Sequence, residues 1–406
     1  MTTAGSDPFS EAAIEALLAP ALRRLPPPTS LSPLPYDLNA GVPDRDSLPW
    51  RELLDATRAA LEEDAAGALT YGGQAGYEPL RSWVAARQAA ETGLPVTAAN
   101  VTITAGSAQG IDNVAAAFIA DGDVVITGAP TYPGAIRTFR ARGAQVIDVP
   151  QDDDGLVMSA LARVLDTRRM TGKQAKVIYV TANYDNPSGS TLTFERRQRL
   201  VELAREHGVL ILEDDAYTGI DLEGPPPTSL FAVAGGRGIV RCGTFSKTVA
   251  TGLRVGFIVA QTEVIARLVL ARFDNGGPPI LHRLLYHYLR SGHYDPHVVR
   301  LQEIYRERRD VTADALRDLC EPYVTFRTPR GGFFHWLKLA PGLDAAAVFR
   351  AAAARGVAVT PGTGYFANGG GEDRIRLVYS ALPPADLRKA IEAFAEALAA
   401  VATGRE

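Results

Sequence analysis

Residues 243–257 read "GTFSKTVATGLRVGF". One lysine, Lys247, stands between Ser246 and Thr248, and Arg254 follows seven residues later. Small hydroxylated and glycine neighbours make a poor helix face but a good bed for a phosphate. The stretch also joins two apolar runs, "GIVRCGTF" (238–245) and "RVGFIVA" (254–260). Both read as short buried strands, with the lysine at the end of the first.

Working outward, the same pattern recurs. "VTITAG" (101–106), "DVVITG" (123–128), "AQVIDVP" (144–150), "KVIYVTAN" (176–183) and "VLILEDD" (209–215) are further apolar strands. Helical spacing lies between several of them, as in 193–208 and from Ser107 onward. Seven near-continuous apolar strands alternating with helices predict an α/β fold, with a mostly parallel seven-stranded sheet sandwiched by helices. Beyond residue 280 the pattern changes to long helices, including 295–319. It then mixes strands ("FFHWLKLA", "RIRLVYS") with helices at 344–355 and 384–401, as in a smaller α+β domain. The expected division is an N-terminal arm with part of the small domain over 1–60, a large domain over 61–285 and the small domain over 286–406. Residues 8–24 read as a short amphipathic helix, and "LPPPTSLSPLP" as an extended arm.

Bulk properties exclude several classes. The 406 residues are 46% hydrophobic with a formal net charge of −4, so neither nucleic acid nor an anionic membrane is indicated. The two cysteines have no metal or disulfide spacing, and the six histidines form no HExxH motif. The first residues lack the charged and apolar regions of a signal peptide, and no apolar run is long enough to span a bilayer. A cytoplasmic protein is the expectation.

In open α/β sheets, ligands gather at the carboxyl ends of strands. Five strand ends here carry unusual residues. They are Gly106-Ser107-Ala108 at a helix start, Tyr132 in "APTYPG", Asn186 in "NYDNPSG", Asp214 and Tyr217 in "EDDAY", and Thr244, Ser246 and Lys247 in "TFSK". Hydroxyls, an arginine and a helix N-terminus suit a phosphate. An aromatic ring suits stacking, a carboxylate a protonated ring nitrogen, a phenol and an amide a ring hydroxyl, and a lysine an aldehyde through a Schiff base. Pyridoxal 5′-phosphate has all these parts.

These residues carry a resemblance. "SKTVATGLRVGF", "NPSG", "EDDAY", "YGGQAGYEPLR", "PRGGFFHW", "TPGTGYF" and "RIRLVYS" resemble the fold-type I aminotransferases of class I/II, especially the 2-aminoadipate and aromatic aminotransferase group. The motifs occur in family order from about residue 36 to 400. The resemblance implies that Lys247 holds the cofactor and moves the substrate Cα proton, and that Asp214 pairs with the pyridine nitrogen. Asn186 and Tyr217 would hold the ring oxygen, and Tyr132 would stack on the ring. Ser107, the Ala108 amide, Thr244, Ser246 and Arg254 would hold the phosphate. Tyr71 would reach the phosphate of a neighbouring subunit in a homodimer. Arg376 would grip the substrate carboxylate, helped by Asn186 and the Gly41 backbone.

The implied activity is transfer of an α-amino group between an L-amino acid and a 2-oxo acid by a ping-pong cycle. Elimination, replacement, cyclisation or oxidation on the same cofactor shares the first steps, so the motifs leave these open. A non-catalytic protein on the same fold is opposed by the intact set Lys247, Asp214, Asn186 and Tyr217. Two departures stand out. Tyr184-Asp185 precedes "NPSG" where the family often has an aromatic and then Gln or His, and His335 adds a titratable group to "GGFFHW". Arg23 and Arg24 could recognise an acidic side chain from the N-terminal arm, and the bland reading of both is surface charge. "QDDDG" at 151–155 reads as a solvated turn.

Overall fold

The computed structural model describes residues 7, 9–23, 25, 34–225 and 227–404. Most of "LPPPTSLSPLP" lies outside them. The stretch read as one helix over 8–24 forms two short helices, Glu11–Leu17 and Pro20–Arg23, neither with a buried residue.

The chain forms fourteen strands among the described residues. In order they are β1 Tyr36–Asp37, β2 Val101–Thr104, β3 Val124–Ala129, β4 Gln145–Asp152, β5 Gly155–Leu156, β6 Ala175–Val180 and β7 Leu210–Asp215. Then come β8 Ile239–Thr244, β9 Gly256–Val259, β10 Val324–Thr325, β11 Phe334–Leu339, β12 Val357–Ala358, β13 Thr360–Pro361 and β14 Arg374–Val378. The large sheet has the order β2-β9-β8-β7-β6-β3-β4-β5. Its centre, from β4 to β8, is parallel, and β9 and β2 close one edge in antiparallel register. The eighth strand, beyond the seven expected, is the two-residue β5. It folds back on β4 through the "QDDDG" turn, too short to leave an apolar signature in the sequence.

The central strands are buried along almost their whole length. Helices such as Ser107–Phe118 and Phe194–His207 cover the sheet, which is why the strands read as continuous apolar runs. A second sheet, β10-β11-β14-β13, is antiparallel and shares one hydrophobic cluster with the helices Tyr294–Cys320 and Pro384–Ala402. β1 pairs in parallel with β12, so the segment from Tyr36 joins this lobe.

Two of the hydrophobic clusters mark the lobes. Ala56 and Ala60, on helix Trp50–Leu69, belong to the larger cluster, and that helix packs on helix Pro279–Arg290. The boundary expected at residue 60 lies within helix Trp50–Leu69, four residues before its kink at Asp64. At the other end, Tyr294 and Val298 pack with the large lobe while Leu301 and Tyr305 pack with the small one. One helix thus passes from core to core.

Candidate active site

Parallel strands β6, β7 and β8 end side by side, and their following loops open into one cavity of about 260 Å³. Its wall contains Gly41, Ser107, Ala108, Tyr132, Asn186, Asp214, Tyr217, Thr244, Ser246, Lys247, Arg254 and Arg376. Every site residue expected from the sequence is there except Tyr71, which stands 89% exposed outside the cavity of its own chain. A larger groove of about 660 Å³ runs along the outside, between Asp152–Asp154 and the small lobe, but it includes neither Lys247 nor Asp214.

Lys247 Nζ donates to the Gly41 carbonyl at 2.8 Å. Burial, then the nearby Arg254 charge, lowers its pKa to about 8, against an opposing pull from Asp214. Asp214 is 4% exposed. Its Oδ2 accepts the Tyr179 hydroxyl at 2.7 Å, while its Oδ1 has no partner. Burial pushes this carboxyl up to about 6. A buried acid with one open oxygen is costly unless a donor or cation completes it.

The far end of the cavity is an anion cradle. Gly106 precedes helix Ser107–Phe118 with φ +80°, and a Cβ there would meet the Arg254 guanidinium at 2.9 Å. Glycine therefore lets Arg254 lie against a helix N-terminus, where free N–H groups point outward. Arg254 itself adopts the left-handed conformation, φ +49°. Thr244 Oγ1 donates to Ser246 Oγ at 2.9 Å and accepts from the Ser246 N–H at 3.2 Å, so the turn presents both hydroxyls together.

At the opposite end, Arg376 is 8% exposed. It donates to Asn186 Oδ1 at 3.0 Å and to the Asn39 carbonyl at 2.5 Å, and its guanidinium lies over the rings of Phe334 and Tyr365 at 4.7 and 5.3 Å. Stacking and hydrogen bonds fix the plane of the fork. Asn186 is itself the first residue of the cis Asn186-Pro187 bond, and Tyr132 follows the cis Ala129-Pro130 bond. Tyr217 is edge-on to Phe333 and Phe334.

Sequence reasoning missed several members. Thr181, Ala216, Thr251 and Phe334 also line the cavity, and Tyr179 supports Asp214 from below. Thr251 lay inside the opening motif, and Tyr179 was signalled by a lone hydroxyl in an apolar strand. His335 does not line the cavity. It is fully buried between Phe326 and Tyr379, with Nε2 3.3 Å from the Arg309 carbonyl. Arg23 donates to the Leu18 and Ala16 carbonyls of its own segment, and Arg24 lies outside the described residues.

The profile of the aminotransferase class I and II family matches residues 35–394. The chain is 31% identical to aromatic-amino-acid aminotransferase 1 of Thermococcus litoralis, over 89% of this chain and 87% of that one. It is 34% identical to 2-aminoadipate transaminase of Thermus thermophilus, over 88% of each. Among solved structures, the α-aminoadipate aminotransferase of Thermus thermophilus, in complex with N-(5′-phosphopyridoxyl)-L-leucine, superposes with a TM-score of 0.84. It is 32% identical, covering 90% of this chain and 92% of that one. The chain belongs to the class I and II aminotransferase family. Its cofactor is pyridoxal 5′-phosphate, and its substrates are an amino acid and a 2-oxo acid. The residues fit that cofactor: the open Oδ1 of Asp214 is the acceptor a pyridinium needs, and the Gly106–Arg254 cradle is the bed a phosphate needs. Among the described residues no helix is long and apolar enough to cross a membrane, and no cluster could hold a metal.

Proposed function

We propose that the cavity carries out transamination of α-amino acids with Lys247 as the proton carrier. The observation that carries this is the pairing, in one cavity, of a buried amine with its pKa lowered to about 8 and a buried carboxyl with an open oxygen. When bound, pyridoxal 5′-phosphate supplies an electron-withdrawing ring that acidifies the substrate Cα–H. Asp214 Oδ1 would accept the ring nitrogen's proton and so keep the ring charged. Asn186 and Tyr217 would hold the ring oxygen, and Tyr132 would stack on the ring. Ser107, the Ala108 N–H, Thr244, Ser246 and Arg254 would hold the phosphate. Arg376 binds the α-carboxylate in a planar fork, which selects α-amino acids over simple amines. Lys247 Nζ, released from Gly41, would be the base that takes the Cα proton.

The protein works as a homodimer in this reading, with Tyr71 serving the partner's phosphate site. Leu69, Tyr71 and Phe273 stand 72%, 89% and 95% exposed, the last two beside loops that touch each other. A Cβ on Gly276 of one loop would stand 2.1 Å from the Gly73 carbonyl of the other. Exposed aromatics of this kind mark interfaces. A fully active monomer in sedimentation experiments would remove this part. A cytoplasmic setting fits the two free, buried cysteines. The two lobes act as large cofactor domain and small domain, meeting at the cavity.

The test is borohydride reduction of the holoenzyme with peptide mapping, beside turnover assays with and without a 2-oxo acid. The label is expected on Lys247, and sustained turnover only with both substrates. A label elsewhere, or undiminished turnover without the oxo acid, overturns the reading.

A further inference from the structure

One buried acid beside the cavity has no part in these roles. Asp185 is 1% exposed and immediately precedes Asn186. Its loop is pinned by the Asp185 N–H on the Ser190 carbonyl (2.9 Å) and the Gly189 N–H on the Asp185 carbonyl (2.7 Å). From Asp185 Oδ2 a chain of oxygens runs outward: 2.8 Å to Ser188 Oγ, 2.8 Å from there to Ser190 Oγ, and 3.3 Å on to Gln151 Oε1. Gln151 Nε2 donates to the Pro130 carbonyl at 2.6 Å. That bond fixes the amide, because a carbonyl only accepts: the nitrogen faces Pro130 and the oxygen faces Ser190. Gly128 permits the approach, since a Cβ there would stand 1.8 Å from Gln151 Nε2.

The protons of this chain can be counted. Three oxygen–oxygen contacts need three protons, and the two serines bring two. Gln151 Oε1 only accepts, and an ionised Asp185 only accepts as well, which leaves one contact empty. A protonated Asp185 fills it: the carboxyl donates to Ser188, Ser188 to Ser190, and Ser190 to Gln151. The Ser190 N–H, 3.2 Å from Ser188 Oγ, takes that oxygen's remaining lone pair.

We propose that Asp185 is a neutral, donating carboxyl whose chain through Ser188, Ser190 and Gln151 ties the Asn186 loop to the Pro130–Tyr132 loop, making Asp185 a positioning residue for two groups that hold the cofactor ring. This rests on the reading of the cavity as the cofactor site. Burial raises the Asp185 pKa to about 7; hydrogen bonds from Ser188 and Thr181 oppose the rise, and the Asp214 charge adds to it. The groups facing it are Asp214 on β7, Tyr179 and Thr181 at the end of β6, and Tyr217 beyond β7. Both tyrosines stay neutral, their pKa values held well above the usual 10.0 by burial. Asp152, next to Gln151, is paired with Arg196 at 2.5 Å. As pH rises through about 7, the chain loses its third proton and a second negative charge develops beside Asp214.

The test is pyridoxal 5′-phosphate affinity against pH by equilibrium dialysis in the Lys247→Ala background, where the lysine's own titration is absent. With Asp185 present, affinity is expected to fall about tenfold between about pH 6 and pH 9, the equivalent of one pK unit of coupling. Adding Asp185→Asn, whose amide donates but cannot ionise, removes that fall. Adding Gln151→Ala instead deletes the terminal acceptor. Two hydroxyl protons then satisfy two contacts, Asp185 ionises more readily, and the midpoint moves to lower pH. Superimposable profiles in all three proteins overturn the proposal, as does a midpoint that moves to higher pH with Gln151→Ala. If none of the three binds the cofactor at any pH, the assignment of the cavity itself falls.

Discussion

Strand β7 presents two acidic faces, and they differ in one respect. Glu213 and Asp215 point to one side, and every bond they need is made. Glu213 accepts the Leu230 and Phe231 N–H groups at 2.8 and 3.0 Å. Asp215 accepts Arg241 Nη2 at 2.6 Å and the Thr218 hydroxyl, and Arg241 also binds Gln88 and Glu91. Asp214 points to the other side with Oδ1 unpaired. Both faces are buried, so exposure does not separate them. The closed network anchors the strand, its buried carboxyl oxygens held by Arg241, Thr218 and backbone N–H groups. The open one, facing the cavity, keeps a valence for a ligand.

Substitutions on each face can break or sharpen that contrast. The largest effect is expected from Lys247→Ala, which removes the proton carrier and should lower turnover about 10⁴-fold or more. Because the phosphate cradle is untouched, cofactor still co-purifies. Full activity in this variant would end the assignment. Next is Arg241→Met on the closed face. It leaves Asp215 and Glu91 without their cation and should cost about 3–5 kcal/mol in urea unfolding, with kcat of the folded enzyme nearly unchanged. A large loss of kcat at unchanged stability would show that the two faces are not separate.

Arg376→Lys keeps the charge but loses the planar fork. A fall of roughly 30- to 100-fold in kcat/KM, carried mainly by KM, is expected from the loss of one charged bidentate contact. An unchanged KM for the amino acid would move carboxylate recognition elsewhere. The smallest effect on catalysis belongs to His335. Burial lowers its pKa from 6.5 to about 3. Its neutral form is therefore stabilised above the unfolded value of about 6.5, and that contribution is lost as pH falls toward 3. His335→Phe should flatten the acid limb of a stability–pH curve while leaving steady-state rates unchanged. A changed rate at neutral pH would bring His335 back into the site.

The sheet and the cofactor end of the cavity were legible because each rests on a local signal. Buried parallel strands read as apolar runs, and the residues just beyond them are chemically conspicuous, as in Lys247, Asp214 and Asn186. β5 escaped because two residues carry no periodicity. Tyr179 and Phe334 look like ordinary core residues until the fold places them, one under Asp214 and the other under Arg376. The Asp185 chain was less legible still. Gln151 was read as part of a solvated turn, and only the missing side chain of Gly128 brings it to Pro130. The packing of helix Trp50–Leu69 on Pro279–Arg290 was not legible because its buried face is largely alanine, which does not announce its partner.

The C-terminal lobe cannot be cut free as a piece of chain. Its strand β12 takes β1 from the far N-terminal side as a partner, and Leu38 is sealed into the lobe's interior. Its longest helix, Tyr294–Cys320, has its first turns embedded in the other lobe through Tyr294 and Val298. A fragment beginning near residue 300 would lack a wall, and one ending there would expose a seam. The polypeptide must be nearly complete before either half has all of its interior.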